Sequence, residues 1–435
     1  MLCLAATGPA PAAADRRPRV TTRRVAPGVT HVRIVRRHPP NRINVLRVAV
    51  RARPAVDVVL AGPDSFGFGK TSRVAERYGA VAAVNGTFSL DDGRPYSVFA
   101  RDGYLEASPL MWSRAFSLSA DETRLSIGHP RLEVTLEDPD SDETWTLDSV
   151  NERPWPGEMA LYTPAGGRFY RPPWNACSAR LRGDGGLEWE GEASGVLRTY
   201  VVGAVRCSST RMGRYGMSVL AARRGSDEAS AIESLELGQS VDVGWTVGWP
   251  QALDVMGGNP LLLAARRVVA PGRCTAYFCS RHPRTGIGIT PRGDVLLVTV
   301  DGRQPRRSVG MTPVAFARVF RRLGAVSAIN LDGGGSTTMV IRGRVVNRPS
   351  DRRGERRVGS AIVVHARTPP PDPVQLADEP ARPAPAVRAL RADPASTGGM
   401  LDALASGELG GRPRQVPRSA RAILRAFRAA HPGEP

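Results

Sequence analysis

The densest chemistry in the chain lies in Asn330-Leu331-Asp332-Gly333-Gly334-Gly335-Ser336-Thr337-Thr338-Met339-Val340. The preceding run, Gly-Ala-Val-Ser-Ala-Ile at 324–329, reads as a buried strand, so Asp332 leaves a strand end. Three consecutive glycines permit positive φ and close approach of a ligand. Their amides can form a concave nest for an anion, and the hydroxyls of Ser336, Thr337 and Thr338 add donors. The string is not a P-loop, because the Gly-x4-Gly-Lys-Ser/Thr spacing and its lysine are missing. By itself it fits a tight hairpin or bulge as well as an anion site.

Its companions favour chemistry. Asp301 ends a second apolar run, followed by Gly302 and Arg303. Carboxylates at neighbouring strand ends of an α/β layer often meet in one cleft, and a carboxylate pair suits glycosidic cleavage. Arg281, His282 and Arg284 precede another buried run, and an arginine there could grip a phosphate with both arms of its fork. Asn85 and Gly86 repeat the strand-then-Asn-Gly pattern, while Asn347, Ser350, Asp351 and Glu355 form a polar segment that could rim the same cleft or make an ordinary turn. The histidines show no metal-ligand spacing, and no Gly-x-Ser-x-Gly elbow occurs. No cofactor is expected; a structural divalent cation is left open.

The elements that must hold these residues follow from periodicity. Residues 20–60 contain β-like runs, and residues 130–250 hold many short alternating runs separated by Gly, Pro and Asp. Segment 256–365 alternates strand, helix and strand. Its helix begins at Thr312 as N-cap with Pro313 at the first position, and ends before Gly324. Val314, Ala317, Val319 and Phe320 are its core face. The expected fold class is α+β or α/β: a mixed β-sheet core with few helices, a β-rich middle region and a disordered C-terminal tail. The expected divisions are a leader at 1–19, an N-terminal β segment at 20–74, a main domain at 75–366, and a Pro/Ala/Arg-rich tail at 367–435.

Composition narrows the partners. The formal charge is +19 over 435 residues, yet Lys70 is the single lysine among 60 basic side chains. No nucleic-acid-binding signature accompanies the charge, so no nucleic-acid partner is expected. A phosphorylated glycan or anionic cell-wall polymer suits a basic surface better. No apolar run of about 18 residues predicts a transmembrane segment. The N-terminus has a short apolar piece and an Ala-x-Ala site at Ala12–Ala14, which predicts export to a secreted or extracytoplasmic, cell-wall-associated location. With Cys3 lost to the leader, Cys177, Cys207, Cys274 and Cys279 form an even set suited to two disulfides. Cys274 and Cys279 can close a small loop, leaving Cys177 with Cys207; three pairings are open from sequence.

The ordered strings HPRTGIGIT, VDGRQ, GMT, LGAVSAINLDGGGSTTMV and VVNRPSD, with AAVNGTF upstream, resemble the phosphodiester glycosidase family over residues 75–365. The resemblance implies hydrolysis of a sugar-1-phosphodiester, of the N-acetylglucosamine-1-phosphodiester kind, to free sugar and phosphomonoester; the alternative reading is a non-catalytic glycan- or cell-wall-binding protein on the same fold. Asp332 and Asp301 are the implied catalytic residues. Implied substrate contacts are Asn85, Gly86, Arg284, Thr285, Arg303, Asn330, Gly333, Gly334, Gly335, Ser336, Thr337, Asn347, Ser350 and Asp351. Departures at Ala315 or Phe316, at Arg357 and at Thr87 leave the exact sugar open.

Overall fold

The computed structural model describes residues 17–366, apart from 53, 63–66, 109–113, 120–123, 142, 165–174, 184–186, 189–194, 208–217 and 274–275. The tail at 367–435 and all but the last three residues of the leader lie outside the described residues.

The strand Val295–Val300 shows how the core is built. All six of its residues are buried, and successive side chains of a strand point to opposite faces. Leu296, Val298 and Val300 pack with Phe316 and Phe320 of the helix Pro313–Arg322. Val295 and Leu297 pack with Val58, Val84 and Ile362 of a second sheet. A continuous apolar run therefore marks a strand covered on both sides. The first sheet has eight strands, with Val295–Val300 between Pro40–Val48 and Arg284–Ile289. The second has five, with Ala82–Asn85 between Met339–Ile341 and Ser360–His365. Its far face is covered by the helix Thr71–Arg77 through Val74 and Ala75.

The expected mixed α/β core is overturned. The chain is mostly β, its central layer is sheet against sheet with the few helices packed on outer faces of the sheets, and the paired strands are antiparallel apart from Ser149–Val150 with Met159–Tyr162. The strand–helix–strand pattern at 295–330 does not form a pair of adjacent strands. In the structure Arg284–Ile289 sits between its two strands, antiparallel to both. Val295–Val300 and Ser327–Asn330 thus run in the same direction, two places apart. Asp301 and Asp332 accordingly leave the same edge of the sheet.

The helix matches its sequence signals. Thr312 Oγ1 accepts from the Ala315 amide at 3.2 Å, Pro313 opens the helix, and Gly324 follows it at φ +90°, the left-handed conformation that suits glycine. The middle region forms a nine-stranded sheet of its own. There Cys177, in the strand Ala176–Arg182, and Cys207, just after the strand Gly195–Arg206, are joined by a disulfide, with Cα atoms 3.9 Å apart. Cys279 is also disulfide-bonded; Cys274, its expected partner, lies outside the described residues.

Candidate active site

Asn85 ties the two sheets together beneath the glycine loop. It is fully buried. Its Nδ2 donates to the Asp332 carbonyl at 2.7 Å, and its Oδ1 accepts from Thr285 Oγ1 at 2.7 Å and the Thr338 amide at 3.1 Å. The Asp332 amide donates to the Gly86 carbonyl at 3.1 Å. Both ends of the loop are therefore fixed to the strand ends by buried hydrogen bonds, which are costly to leave unmade. Asn330 and Thr285 belong to this scaffold. Asn330 Nδ2 donates to the carbonyls of Asn259 and Leu331.

The glycines are required by close packing, and the anticipated nest of free amides is not what they form. Gly333 donates to Asp332 Oδ1 at 2.8 Å, and Gly334 to the Pro283 carbonyl at 3.0 Å. The Ser336 and Thr337 amides donate back to the carbonyls of Gly333 and Gly334, closing a turn of 3-10 helix. These four amides are already engaged within the protein. A side chain at 333 would meet the Pro283 carbonyl at 2.8 Å. Gly334 has φ +61° and lies under the Arg303 guanidinium. A Cβ at 335 would fall 2.2 Å from both Arg356 Nη2 and Asp351 Oδ1. Three side chains are absent because a carbonyl, a guanidinium and an ion pair press on the backbone.

That ion pair is bidentate. Arg356 Nε donates to Asp351 Oδ2 at 2.8 Å and Nη2 to Oδ1 at 3.1 Å. Arg303 Nε donates to His282 Nδ1 at 3.4 Å. The loop is thus bordered by two guanidiniums, an imidazole and two carboxylates. Asp332 is half-buried. Desolvation pushes its pKa up to about 6, against the opposing pull of a Ser336 hydrogen bond, the Gly333 amide and the Arg356 charge. That value lies closer to neutrality than an ordinary carboxyl's.

Asp301 occupies a different setting. It is 1% exposed, and its Oδ1 accepts from Asn347 Nδ2 at 3.2 Å and the Arg348 amide at 3.0 Å. Asn347 in turn donates to the Thr337 carbonyl and accepts from the Met339 amide. Asp301 and Asn347 together brace the far end of the glycine loop. Asp301 Oδ2 has no hydrogen-bond partner and lies 3.9 Å from Arg307 Nη2; burial raises the Asp301 pKa, with the Arg348 amide and Asn347 opposing.

Arg284 was expected to hold a phosphate. It is 3% exposed, and its guanidinium donates to the carbonyls of Met311, Phe278 and Ser280 at 3.0, 2.6 and 3.0 Å. This places it as a support for the His282–Pro283 segment beneath the loop. The hydroxyls of Thr337, Thr338 and Ser350 are buried without hydrogen-bond partners. Gly86 is held against Ser360, whose Oγ accepts from the Thr87 amide at 3.1 Å. Sequence reasoning passed over Arg356 and Ser360. The five-residue Asp351-to-Arg356 spacing in a polar turn was a usable signal for the first; Ser360 has none.

Comparison with known proteins agrees with the motif resemblance. Residues 216–365 match the model of the phosphodiester glycosidase family, a family of hydrolases. N-acetylglucosamine-1-phosphodiester alpha-N-acetylglucosaminidase of Bos taurus is 38% identical over 96 residues, 20% of this chain and 18% of that protein's length. Solved structures share the fold. A hypothetical protein from Synechocystis superposes with a TM-score of 0.63 at 21% identity, covering 81% of this chain and 64% of the other. A Burkholderia pseudomallei chain, described as an exported-protein candidate, gives 0.57 at 23% identity, covering 75% and 74%. None of the described helices is long and apolar enough to cross a membrane.

Proposed function

We propose that this chain, whose residues 216–365 match the phosphodiester glycosidases, hydrolyses a sugar-1-phosphodiester between the anomeric carbon and the phosphate oxygen. The observation that carries the reading is Asp332: a half-buried carboxyl with a pKa near 6, fixed to a glycine loop beside Arg303 and the Asp351–Arg356 pair. A phosphate leaves as a stable anion, so protonation by an acid matters less than charge stabilisation. Arg303 and Arg356 supply that stabilisation, and ionised Asp332 acts on the anomeric side, as base toward water or as nucleophile. Asp301 is assigned to positioning: through Asn347 it holds the loop. The products are the free sugar and a phosphomonoester. The aligned relative acts on an N-acetylglucosamine-1-phosphodiester, and that sugar is the first substrate to try. Export is part of the same proposal, supported by the leader-like start and the Cys177–Cys207 disulfide, since disulfides persist in oxidising compartments.

The test is release of N-acetylglucosamine from such a diester by wild type and by Asp332→Asn, in isotope-labelled water. Label in the sugar and loss of release in the variant support the reading. Label in the phosphate means P–O cleavage and rejects it.

A further inference from the structure

Away from the glycine loop, the strands Arg19–Ala26 and Val29–Arg37 form the outer pair of the eight-stranded sheet, with Arg23 opposite His31. The hairpin of Met339–Ile341 and Arg344–Val345, from the second sheet, turns through Arg342 and Gly343. Arg23, Arg24, His31, Arg342 and Arg344 line a cavity of about 400 Å³ to which these two hairpins contribute, with Val25 in its wall. No carboxylate lines it. Some arginines elsewhere are matched, as in Arg47 with Asp294, Arg94 with Glu152 and Arg101 with Asp57. Among the described residues none of the four cavity arginines is in an ion pair. Arg342 Nη2 is fastened to the Val25 carbonyl, so part of the charge is pre-positioned. The pKa of His31 is lowered, first by burial and then by the Arg33 and Arg23 charges, with its Asn44 hydrogen bond opposing. The local field is positive, and among the described residues no carboxylate lines the cavity to balance it.

We propose that this cavity is a second anion site, which holds phosphate groups of an anionic polymer of the glycan or polyol type. Four guanidiniums from two hairpins exceed what one phosphate can engage, and repeated negative charge along a chain matches them better. Single-stranded nucleic acid is the weaker fit, because base stacking needs exposed aromatic rings and no Phe, Tyr or Trp lines the cavity. The site is coupled by the chain to the glycine loop: the hairpin strand Arg344–Val345 runs on to Asn347, which grips Asp301. The proposal concerns binding and stands apart from the hydrolysis reading.

The experiment measures binding of a fluorescent poly(glycerol phosphate) to the full chain by anisotropy, at fixed salt. The double variant Arg23→Gln/Arg344→Gln alters two exposed cavity side chains. Arg318→Gln/Arg321→Gln, on the exposed face of the helix Pro313–Arg322, removes the same charge elsewhere. The cavity variant is expected to weaken binding about tenfold or more and the helix variant less than about twofold, because the cavity gathers four guanidiniums from two hairpins around one concave space, whereas Arg318 and Arg321 lie on an exposed helix face. Equal weakening by both pairs, or no binding by wild type, overturns the proposal. Competition by millimolar inorganic phosphate as effective as by polymer reassigns the cavity to free phosphate. An oligoribonucleotide of equal charge binding as tightly rejects the polymer class.

Discussion

Replacing Asp332 by Asn tests the electrostatics of the site independently of substrate. The folded pKa is raised from 3.8 to about 6 by burial, so the native state binds this proton more tightly than the unfolded chain does. The sign follows from linkage. Below pH 4 the carboxyl is protonated in both states and costs nothing. Between about pH 4 and 6 the unfolded chain ionises first, and native stability falls. Above pH 6 the cost is constant. At about 1.4 kcal/mol per pH unit the full penalty is about 3 kcal/mol, reduced to about 1–3 kcal/mol because the residue is half-buried and partly screened by solvent. Asn has the same size and cannot ionise. The value of about 6 already includes the opposing Ser336 and Gly333 hydrogen bonds to the carboxylate, so they need no separate allowance. The variant is thus expected to approach wild-type stability at pH 4 and to gain on it by about 1–3 kcal/mol at pH 8. Urea unfolding at the two pH values measures the difference directly, while the diester assay shows activity lost. A stability difference that does not change between pH 4 and 8 would refute the raised pKa and with it the argument that burial tunes Asp332.

Activity should follow the same proton: with ionised Asp332 as the working form, kcat/KM rises about tenfold per pH unit below pH 6 and levels above it; a profile falling through pH 6 would assign it the acid role instead. Gly335→Ala should drive the Asp351–Arg356 pair off the loop, since the new methyl would fall 2.2 Å from both partners, at a cost of about 1–3 kcal/mol in stability together with loss of turnover; unchanged kinetics would show that the ion pair is irrelevant to the site. Asn85→Ala leaves Thr285, the Thr338 amide and the Asp332 carbonyl without their partner and should cost about 3 kcal/mol or more in chemical denaturation. Breaking the 30-residue Cys177–Cys207 link by Cys→Ala at both positions should destabilise by about 2–4 kcal/mol, read as the shift in unfolding midpoint between variant and wild type.

What the sequence determined was local. The runs Val295–Val300 and Ser327–Asn330 announced buried strands because apolar content survives any choice of neighbour. Thr312, Pro313 and Gly324 marked the helix because capping acts within a few residues. The motif string at 330–340 pointed to a glycine-loop site and to a family by order and spacing. What only the tertiary structure decided was partnership. Arg284–Ile289 inserts between the strands Val295–Val300 and Ser327–Asn330, and pairing with a strand tens of residues away makes that choice. The roles divide in the same way. Asp301 and Asp332 look alike as strand-end carboxylates, yet one is braced by Asn347 and Arg348 and the other opens the glycine loop within the field of Arg356. Arg284 looks like a phosphate grip and is consumed by three backbone carbonyls. Even the three glycines, the plainest signal in the chain, were set by what presses on them. Residue type fixes what a group can do; burial and long-range contacts fix what it is left free to do.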